Sequence, residues 1–372
     1  MASLSPVFLP DELIAEVLSR LTVKLLLRLK CVSKSWKSLI SDPTFVKLHL
    51  HRSSQHAYFT LVCSIDFIVA SLTFYPLFKN SPMIFELPKD PYCNEFHYVV
   101  GSCNGLLCLL GKSLVNGEIK KTWFRIWNPA TRTISQRLGS FRDDDPTPSI
   151  PYTFTFGCDE STNTYKVVAL RTTEIRVLSL CNNAWTNIQN PSQAHNCSTK
   201  GVYTSGCVNW LAIHNHFDLN YKCKDINIKQ FVIISLNLST ETHTQLQPPR
   251  GFDEVPFIDP SLSVLNDCLY FSHDFKQTHF IMWKMKDFGV DDSWTQLFKV
   301  SYHNLEIDYP FNDSDRCLLP VCLSEKNGTL ILTNKYRRGA IMYNSRNNVV
   351  QKIVRPWWWL GANYVESLAS YC

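Results

Sequence analysis

The sequence of 372 residues lacks the short motifs that mark the common catalytic sites. It has no G-x-S-x-G nucleophile elbow, no phosphate-binding P-loop, no zinc-binding H-E-x-x-H and no dinucleotide-binding G-x-G-x-x-G. It also offers no pair of carboxylates that can be assigned to one site, as a glycosidase would need. We therefore expect a protein that is not an enzyme and that holds no cofactor.

Paired metal-ligand spacing and a secretion signal are missing as well. The 14 cysteines include no C-x-x-C pair, and the closest spacings are Cys103 to Cys108 and Cys317 to Cys322. A structural zinc site is therefore not expected. The acidic residues 11–12 interrupt the apolar start that a signal peptide would need. We expect reduced, mostly buried cysteines and a cytoplasmic or nuclear location, not secretion.

The chain has neither a long hydrophobic run nor a strong net charge. Its longest apolar run, residues 65–78, is too short to cross a bilayer and contains Asp66. The formal net charge of +5 is mild for a chain of this length, so it does not point to nucleic acid. Neither a membrane nor a nucleic acid is an expected partner.

What is present first is a glycine-free stretch at residues 9–40, LPDELIAEVLSRLTVKLLLRLKCVSKSWKSLI. Its apolar residues recur at three- and four-residue steps, which predicts amphipathic helices. Pro10 suits the first turn of a helix, and the sequence Ser41–Asp42–Pro43 predicts a helix end. The apolar positions are Leu9, Leu13, Ile14, Val17, Leu18, Leu21, Leu26, Leu27, Leu29, Val32, Trp36, Leu39 and Ile40.

Two or three short helices are too few to bury all these apolar faces internally. An external partner is therefore a physical expectation, and packing of the helices on the rest of the chain is the alternative that periodicity leaves open. From Arg20 to Arg52 the chain holds eight basic residues and one acid, Asp42, which would attract an acidic partner. Residues 49–55, HLHRSSQ, are polar, and we predict that they form a solvated connector.

These residues resemble a plant F-box. The resemblance lies in Leu9–Pro10 followed by an acidic pair, in CVSKSW at residues 31–36 and in SDPTF at residues 41–45. Thr22 and Leu25 depart from the family pattern, which has proline and serine at these positions. The resemblance implies binding to a Skp-family adaptor and, through it, to the core of a cullin–RING ubiquitin ligase. The adaptor contacts that it implies are Leu9, Pro10, Leu13, Ile14, Val17, Leu18, Leu21, Leu26, Leu27, Val32 and Trp36.

The rest of the chain consists of repeated pairs of strand-like runs separated by turn residues. One run leads through Asn-Gly, Ser-Gly or Asn-Asp into an apolar strand, and a second ends in a polar turn such as NPAT, CNNA, LSTE or NSRN. The repeats recur roughly every 50–60 residues, a length typical of a four-stranded propeller blade. A β-sandwich with irregular loops is the alternative. The second apolar strands lie near Trp127, Leu180, Leu236, Trp283 and Tyr343.

This β region also resembles a known family. Residues 95–369 are similar to the plant F-box-associated interaction domain of F-box/kelch-repeat proteins, through WNPATRTI, GCDESTNTYKVVAL, WKMKDFGVDDSWTQLF and YVESL. We therefore predict an α+β protein by domain, with a small helical F-box at residues 1–50 and an all-β propeller-like domain at residues 51–372. We predict about six blades, one of them shared by both chain ends, because sharing pairs the free edges.

The propeller-like domain is expected to bind the target that the ligase modifies. Of three consecutive tryptophans at residues 357–359, the middle one would face away from its neighbours, and an exposed tryptophan is a good anchor. Ring closure by these large aromatic side chains is the alternative. The predicted target-binding residues are Trp358, His214 and His216, and the predicted specificity loops are 139–150, 190–200, 214–228 and 250–260.

Together these features predict a substrate-recognition subunit of an SCF-type ubiquitin ligase. The F-box would dock the Skp-family adaptor, and the β domain would bind a target protein, glycosylated or not, whose identity the sequence does not reveal. The alternatives are a glycan-binding propeller and a propeller enzyme of the glycosidase or lyase class.

Overall fold

The computed structural model of the chain describes residues 9–55, 60–65, 68–73, 83–86, 96–115, 118–141, 152–171, 174–189, 194–196, 200–214, 223–307, 317–334, 340–353 and 362–371. A helical module comes first, and the described remainder consists of β-strands, their connections and three short 3-10 helices. No helix within these ranges is long and apolar enough to span a membrane.

The helical module contains four described helices: α1 (Asp11–Leu18), α2 (Val23–Leu29), α3 (Lys34–Ser41) and α4 (Pro43–Gln55). Asp11 and Glu12 lie in the first turn of α1, where the helix dipole favours negative charge. Ser33 caps α3, because its Oγ accepts a hydrogen bond from the backbone N–H of Trp36 at 3.1 Å. Pro43 starts α4, so the predicted helix end separates α3 from a further helix.

The module has a small apolar core in which Leu18, Leu26, Ile40 and Phe45 are buried. Thr22, which replaces the proline of the family pattern, has φ −65° and ψ 151° just ahead of α2. Proline is fixed at nearly the same φ, so threonine starts α2 without a change in the backbone.

Residues 49–55 are not the solvated connector that we predicted, because α4 carries the helical module past the expected boundary at residue 50. His49 is buried, and its Nε2 lies 2.9 Å from the carbonyl oxygen of Leu21. Arg52 donates to both the carbonyl oxygen and the carboxylate of Glu16. These polar side chains satisfy backbone groups at and just beyond the end of α1, where a helix leaves carbonyls unpaired.

The described strands form six antiparallel sheets. Three sheets contain the strands of the first half of the propeller, together with β26 from the end of the chain. The strands are β1 (Thr60–Ile65), β2 (Ile68–Thr73), β3 (Met83–Glu86), β4 (Phe96–Cys103), β5 (Leu106–Val115), β6 (Glu118–Asn128), β7 (Thr133–Ile134), β8 (Leu138–Phe141), β9 (Thr153–Asp159), β10 (Thr164–Arg171), β11 (Glu174–Ser179), β12 (Ala184–Ile188) and β26 (Ala362–Tyr364).

The other three sheets follow in chain order and are built from β13–β17, β18–β21 and β22–β25. Their strands are β13 (Ala194–Asn196), β14 (Val202–Thr204), β15 (Cys207–His214), β16 (Phe231–Asn237), β17 (His243–Leu246), β18 (Ser261–Leu265), β19 (Cys268–Phe275), β20 (His279–Met285), β21 (Trp294–Ser301), β22 (Leu318–Ser324), β23 (Thr329–Asn334), β24 (Ala340–Asn344) and β25 (Val349–Ile353). The 3-10 helices are Cys223–Asp225, Ile228–Gln230 and Asp291–Ser293.

The sheets are arranged as propeller blades. The first strands of neighbouring sheets contact each other in the order β26, β4, β9, β14, β18 and β22. The apolar core therefore lies in layers between sheets. One layer, for example, joins Phe124 of β6 to Phe156 of β9, and another joins Phe231 of β16 to Phe271 of β19. The predicted architecture, a small helical module followed by an all-β propeller, is confirmed.

The closing sheet combines strands from both ends of the chain, as predicted. β26 pairs antiparallel with β1 in the register Thr60 to Tyr364, and β2 and β3 complete this sheet. Tyr364 is buried in the layer shared with Trp127 of β6. A late strand thus covers the edge that β1 would otherwise leave unpaired.

The predicted hairpin turns are confirmed by their backbone angles. Both residues of the Asn104–Gly105, Ser205–Gly206 and Asn266–Asp267 turns have positive φ, between 48° and 78°. Such angles define the two-residue hairpin that links tightly twisted antiparallel strands. Each turn joins the first strand of a sheet to its second.

The longer polar turns share a hydrogen-bond pattern that was not predicted from the sequence, although the turns themselves were. Asn128, Asp159 and Asn237 each use Oδ1 to accept the backbone N–H two residues further on, at 2.8–3.0 Å. In each turn the side chains of two threonines, three and five residues after the first residue, lie 2.7–2.8 Å apart. The residue between the threonines has a positive φ of 53–60°. The motif Asn/Asp-x-x-Thr-x-Thr is therefore a self-bonded turn.

The turn at Asn128 also holds the tail, residues 365–371. The Asn128 Nδ2 donates to the carbonyl oxygens of Ser367 and Ala369, both at 3.0 Å. The Ser367 Oγ donates to the carbonyl oxygen of Asn104 at 2.6 Å. A Cβ on Gly105 would lie 2.4 Å from this Oγ, so the close approach of the tail requires glycine. Two turns of the β4–β8 sheet thus hold the tail that follows the closing strand.

Nine of the described cysteines are free thiols, and six of these are buried. Cys103, Cys108 and Cys158 lie in the layer between the β4–β8 and β9–β12 sheets. Burial raises the pKa of Cys158 to about 11, with the nearby Glu160 and Asp159 adding to the shift. These three cysteines therefore act as small apolar core residues, as predicted.

We expect Asn128→Ala to lower the free energy of unfolding by about 2–4 kcal/mol, because two tail carbonyls lose their donor and the turn loses its acceptor. Asn237→Ala is the matched control, since Asn237 makes the same turn bonds. We expect it to cost about 1 kcal/mol. Urea unfolding measures both values. Equal losses in the two variants would show that the tail contacts contribute nothing.

Candidate functional site

The helical module presents a concentration of exposed apolar side chains. Five of the eleven exposed large apolar residues in the described chain lie between residues 9 and 32. Leu13 and Val17 are one turn apart on α1 and are 53% and 63% exposed. Residues spaced by four share one face of a helix, so they form part of a single strip. The five residues are Leu9, Leu13, Val17, Leu25 and Val32.

The predicted adaptor contacts fall into an exposed set and a buried set. Leu18 and Leu26 are 4% and 0% exposed in the core of the module, so the structure does not expose these two predicted contacts to a partner. Ile14, Leu21 and Trp36 are half-buried against that core, and Leu27 is also half-buried. Leu9, Pro10, Leu13, Val17 and Val32 are exposed, and they are the predicted contacts that a partner can reach fully.

Leu25 is the exposed apolar residue that the sequence reading did not assign as a contact. It lies on α2, is 43% exposed and stands where the family pattern has serine. An apolar residue replacing a polar one on an otherwise exposed helix face was the signal that could have identified it.

The basic character of the module is partly neutralised within the module itself. Arg20 and Arg52 both bind the Glu16 carboxylate. Their hydrogen bonds, Arg52 first and Arg20 second, lower the pKa of Glu16. Lys24, Arg28, Lys34 and Lys37 remain exposed and give α2 and α3 a positive surface. An acidic partner would meet this surface.

The two ends of the propeller are distinguished by strand direction. Strands alternate in direction within each sheet, so the turns from first to second and from third to fourth strand lie at one end. The tail contacts two such turns, at Asn104 and Asn128, and Leu368 of the tail contacts the core of the helical module. We call this the module end. The connections from second to third strand, and from one sheet to the next, lie at the opposite end.

The predicted target-binding residues are only partly described. His214 is half-buried at the end of β15, and β15 ends at the opposite end of the propeller. Its carbonyl oxygen accepts a hydrogen bond from Gln230 Nε2 at 2.9 Å. His216 and Trp358 lie outside the described residues. Of the predicted specificity loops, only residues 250–260 are described throughout.

The connection from β17 to β18, residues 247–260, is anchored at its start by the WKMKDFGVDDSW motif. The Trp294 Nε1 donates to the carbonyl oxygen of Gln247 at 3.0 Å, and Asp291 Oδ1 accepts the Gln247 N–H at 2.9 Å. Gly251 lies so close to the Trp283 ring that a Cβ would be 2.4 Å from it. A cleft of about 250 Å³ remains between these residues and the Arg250–Asp292 ion pair.

The middle of this connection is held in place and carries exposed apolar residues. Phe252 is buried against Phe231 and Phe271, with ring centroids 5.7 and 5.0 Å away. Glu254 pairs at 2.9 Å with Lys276 of the β19–β20 turn, which lies at the opposite end of the propeller. The next apolar residues, Val255 and Phe257, are 38% and 42% exposed, as is Tyr98 at the start of β4 with 44%. The sequence analysis predicted residues 250–260 as a specificity loop but did not single out Tyr98, Val255 or Phe257.

His273 is buried next to Trp283, which lines the cleft, and its hydrogen bonds fix which ring nitrogen carries the proton. Its Nε2 accepts the Trp283 Nε1–H at 3.3 Å, so its Nδ1 carries the proton and donates to the Asp274 carbonyl oxygen at 3.1 Å. Burial lowers the pKa of His273 to about 4, against the opposing effect of the Asp274 carbonyl. The neutral imidazole thus joins β19 to β20 and supports the ring of Trp283.

The chemistry of these surfaces is that of binding. Within the described ranges, no three His, Cys, Asp or Glu side chains are grouped so that they could hold a metal ion. The module offers an apolar strip with a positive rim, and the opposite end of the propeller offers Tyr98, Val255 and Phe257 on anchored backbone. Exposed apolar side chains with a polar surround are typical of protein–protein contact.

Comparison with known families matches two regions of the chain. Residues 8–48 match the F-box domain, and residues 62–371 match the F-box associated beta propeller domain. An F-box/kelch-repeat protein of Arabidopsis thaliana is 28% identical over 360 residues, which cover 92% of this chain and 89% of that protein. The Arabidopsis thaliana F-box protein CPR1 is 24% identical over 322 residues, which cover 78% of this chain and 73% of CPR1.

Solved structures are more distant. TolB from Acinetobacter baumannii superposes with a TM-score of 0.42 at 9% identity, covering 87% of this chain and 73% of TolB. At this TM-score the similarity supports no conclusion about function.

We expect the wild-type chain to lose stability as the pH falls from about 6.5 towards 4. The unfolded chain binds a proton at His273 in this range and the buried imidazole does not. The difference amounts to about 3 kcal/mol at full effect. Urea unfolding at pH 7, 5.5 and 4.5 should show a steeper loss in the wild type than in His273→Gln. The exposed His303→Gln is the control, and identical pH profiles for wild type and His273→Gln would refute the expectation.

Proposed function

Because the chain belongs to the family of F-box proteins with an F-box associated β-propeller domain, we propose that it is the substrate-recognition subunit of an SCF-type cullin–RING ubiquitin ligase. The helical module, residues 9–55, would bind a Skp-family adaptor, and the propeller would bind the target protein. The single observation that carries this proposal is that apolar side chains are exposed together on a module whose core is formed by other residues.

The adaptor surface would consist of the exposed strip and its positive rim. Leu9, Leu13 and Val17 follow each other at four-residue intervals and are the most exposed large apolar residues of the first helix and its start. Burying them against a partner would remove apolar surface from water, which is the main favourable term in association. Lys34 and Lys37 on α3 would add attraction to an acidic adaptor.

The target surface would lie at the end of the propeller opposite the module. Tyr98, Val255 and Phe257 are exposed there, and the backbone of the β17–β18 connection is fixed by its contacts with Trp283 and Trp294. A preformed loop loses little conformational freedom on binding, so its contacts count almost fully towards affinity. This arrangement leaves the adaptor and the target on opposite sides of the molecule.

In this proposal the chain carries out no covalent step itself. It would hold the target near the ubiquitin-loaded enzyme and raise the effective concentration of the target there. Its partners would be the adaptor, the ligase core through the adaptor, and the target, in the cytoplasm or the nucleus.

We expect the double variant Leu13→Ala/Val17→Ala to bind a purified Skp-family adaptor at least tenfold more weakly than the wild type. Both side chains are exposed, so their truncation removes contacts without opening the core of the module. Isothermal titration calorimetry measures the affinity, and circular dichroism checks that the helix content is unchanged. Val290→Ala, an equally exposed truncation in the propeller, should bind as the wild type does. An unchanged affinity of the double variant would exclude this strip as the adaptor surface.

Target binding is tested by Val255→Ser/Phe257→Ser. We expect this variant to capture the adaptor normally and to lose proteins that the wild type captures from cells treated with a proteasome inhibitor. Quantitative mass spectrometry compares the captured proteins, with Val349→Ser, an exposed truncation outside this loop and its anchors, as the control. If the captured set is the same for all three proteins, the target surface lies elsewhere.

A further inference from the structure

The core of the helical module is completed by a residue from the distant tail. Leu368 packs against the cluster formed by Leu18, Leu26, Ile40 and Phe45, the buried apolar residues of that module. One side of the module therefore packs on the rest of the chain, which was the alternative to an external partner in the sequence analysis. The exposed strip remains on another side.

Further interactions join α4 to the propeller. The Glu366 carboxylate interacts electrostatically with the buried His49, whose Nε2 is hydrogen-bonded to the Leu21 carbonyl oxygen. Burial lowers the pKa of His49, and Glu366 opposes this shift. Lys47 on α4 interacts electrostatically with Cys158 near the end of β9 and opposes the rise in its pKa. The module thus lies close to both the tail and the β9–β12 sheet.

The propeller fixes the other side of the same tail. Ser367 is fully buried and is held by its bonds to Asn104 and Asn128, as described above. Leu368 is the next residue, and it contacts the module. Ser367 is therefore bonded to the propeller, and the next residue, Leu368, packs against the module. A rotation of the module relative to the propeller would have to break one of these contacts.

We infer that residues 365–371 fix the orientation of the helical module on the propeller, and that Leu368 is the positioning residue of this joint. A covalent connection alone does not fix the angle between two folded parts, whereas an apolar side chain shared with a core does. The YVESL motif, singled out in the sequence, then has three roles in five residues. Tyr364 fills the propeller core, Ser367 holds the tail, and Leu368 holds the module.

The consequence for ubiquitin transfer rests on the proposed function. With the adaptor bound at the module and the target at the opposite end, a fixed joint would hold the target at one distance and angle from the ligase. A loosened joint would spread the target over many positions and lower its effective concentration at the ubiquitin-loaded enzyme. Neither the adaptor affinity nor the target affinity would change.

Single-molecule energy transfer on the full chain tests this joint. Donor and acceptor dyes are attached through bio-orthogonal amino acids at the exposed positions Lys24, on α2, and Gln296, on β21. We expect one narrow distance distribution for the wild type and at least a doubling of its width for Leu368→Asp. Val349→Ser, which removes an exposed apolar side chain elsewhere, should leave the width unchanged.

Additional variants separate positioning from general destabilisation. Leu368→Met, which conserves volume, should restore the narrow distribution, and Leu368→Ala should give an intermediate width. The melting temperature of the propeller and the affinity of each variant for a purified Skp-family adaptor are measured in parallel. A broad wild-type distribution, or a Leu368→Asp distribution as narrow as that of the wild type, overturns the inference. So does a Leu368→Ala width equal to that of the wild type if Leu368→Asp does not fold.

The two proposals fail in different ways. If the wild type does not bind the adaptor, the proposed function fails while the distance distributions still report on the joint. If the adaptor binds and the distributions do not depend on residue 368, the proposed function stands and the inference about the tail fails.

Discussion

The pairing of β26 with β1 is the contact on which the rest of this structure depends. A ring of sheets gains its stability from layers between neighbours, so one unpaired edge weakens every layer in turn. Here the register between Thr60 and Tyr364 pairs this edge, and the bonds of Asn128 and Asn104 to the tail keep it paired. The helical module depends on the same segment, because Leu368 packs against its core. The same tail segment therefore both closes the propeller ring and positions the helical module.

Much of this fold could be predicted from local chemistry. The Asn104–Gly105 and Ser205–Gly206 pairs contain residues that tolerate the positive φ of a two-residue hairpin, so the hairpins and their order along the chain could be predicted directly. The apolar periodicity of residues 9–40 likewise predicted helices, and Pro43 marked a helix boundary. In these cases the determining interaction lies within a few residues of the signal, which is why a single sequence suffices.

The failures concern residues whose role depends on distant parts of the chain. Periodicity could not separate the exposed row Leu13 and Val17 from the buried Leu18, because both rows are apolar and adjacent on α1. His49 was read as solvated because nothing nearby in sequence shows that it is bonded to Leu21. The exposure of Val255 and Phe257 on an anchored loop was equally hidden, since the loop is anchored by Trp283 and Trp294, which lie 26 to 39 residues beyond these two residues.

The position of β26 in the chain has a consequence for how this protein is made. The strand follows every other described strand, so on the ribosome it emerges after all of them. At a synthesis rate of roughly 5–20 residues per second, the preceding sheets have many seconds to fold while β1 still lacks its neighbour. Throughout that time the helical module also lacks Leu368. A nascent chain is therefore a good client for chaperones that cover sheet edges, and it completes its ring and the packing of its helical module within the same few residues of synthesis.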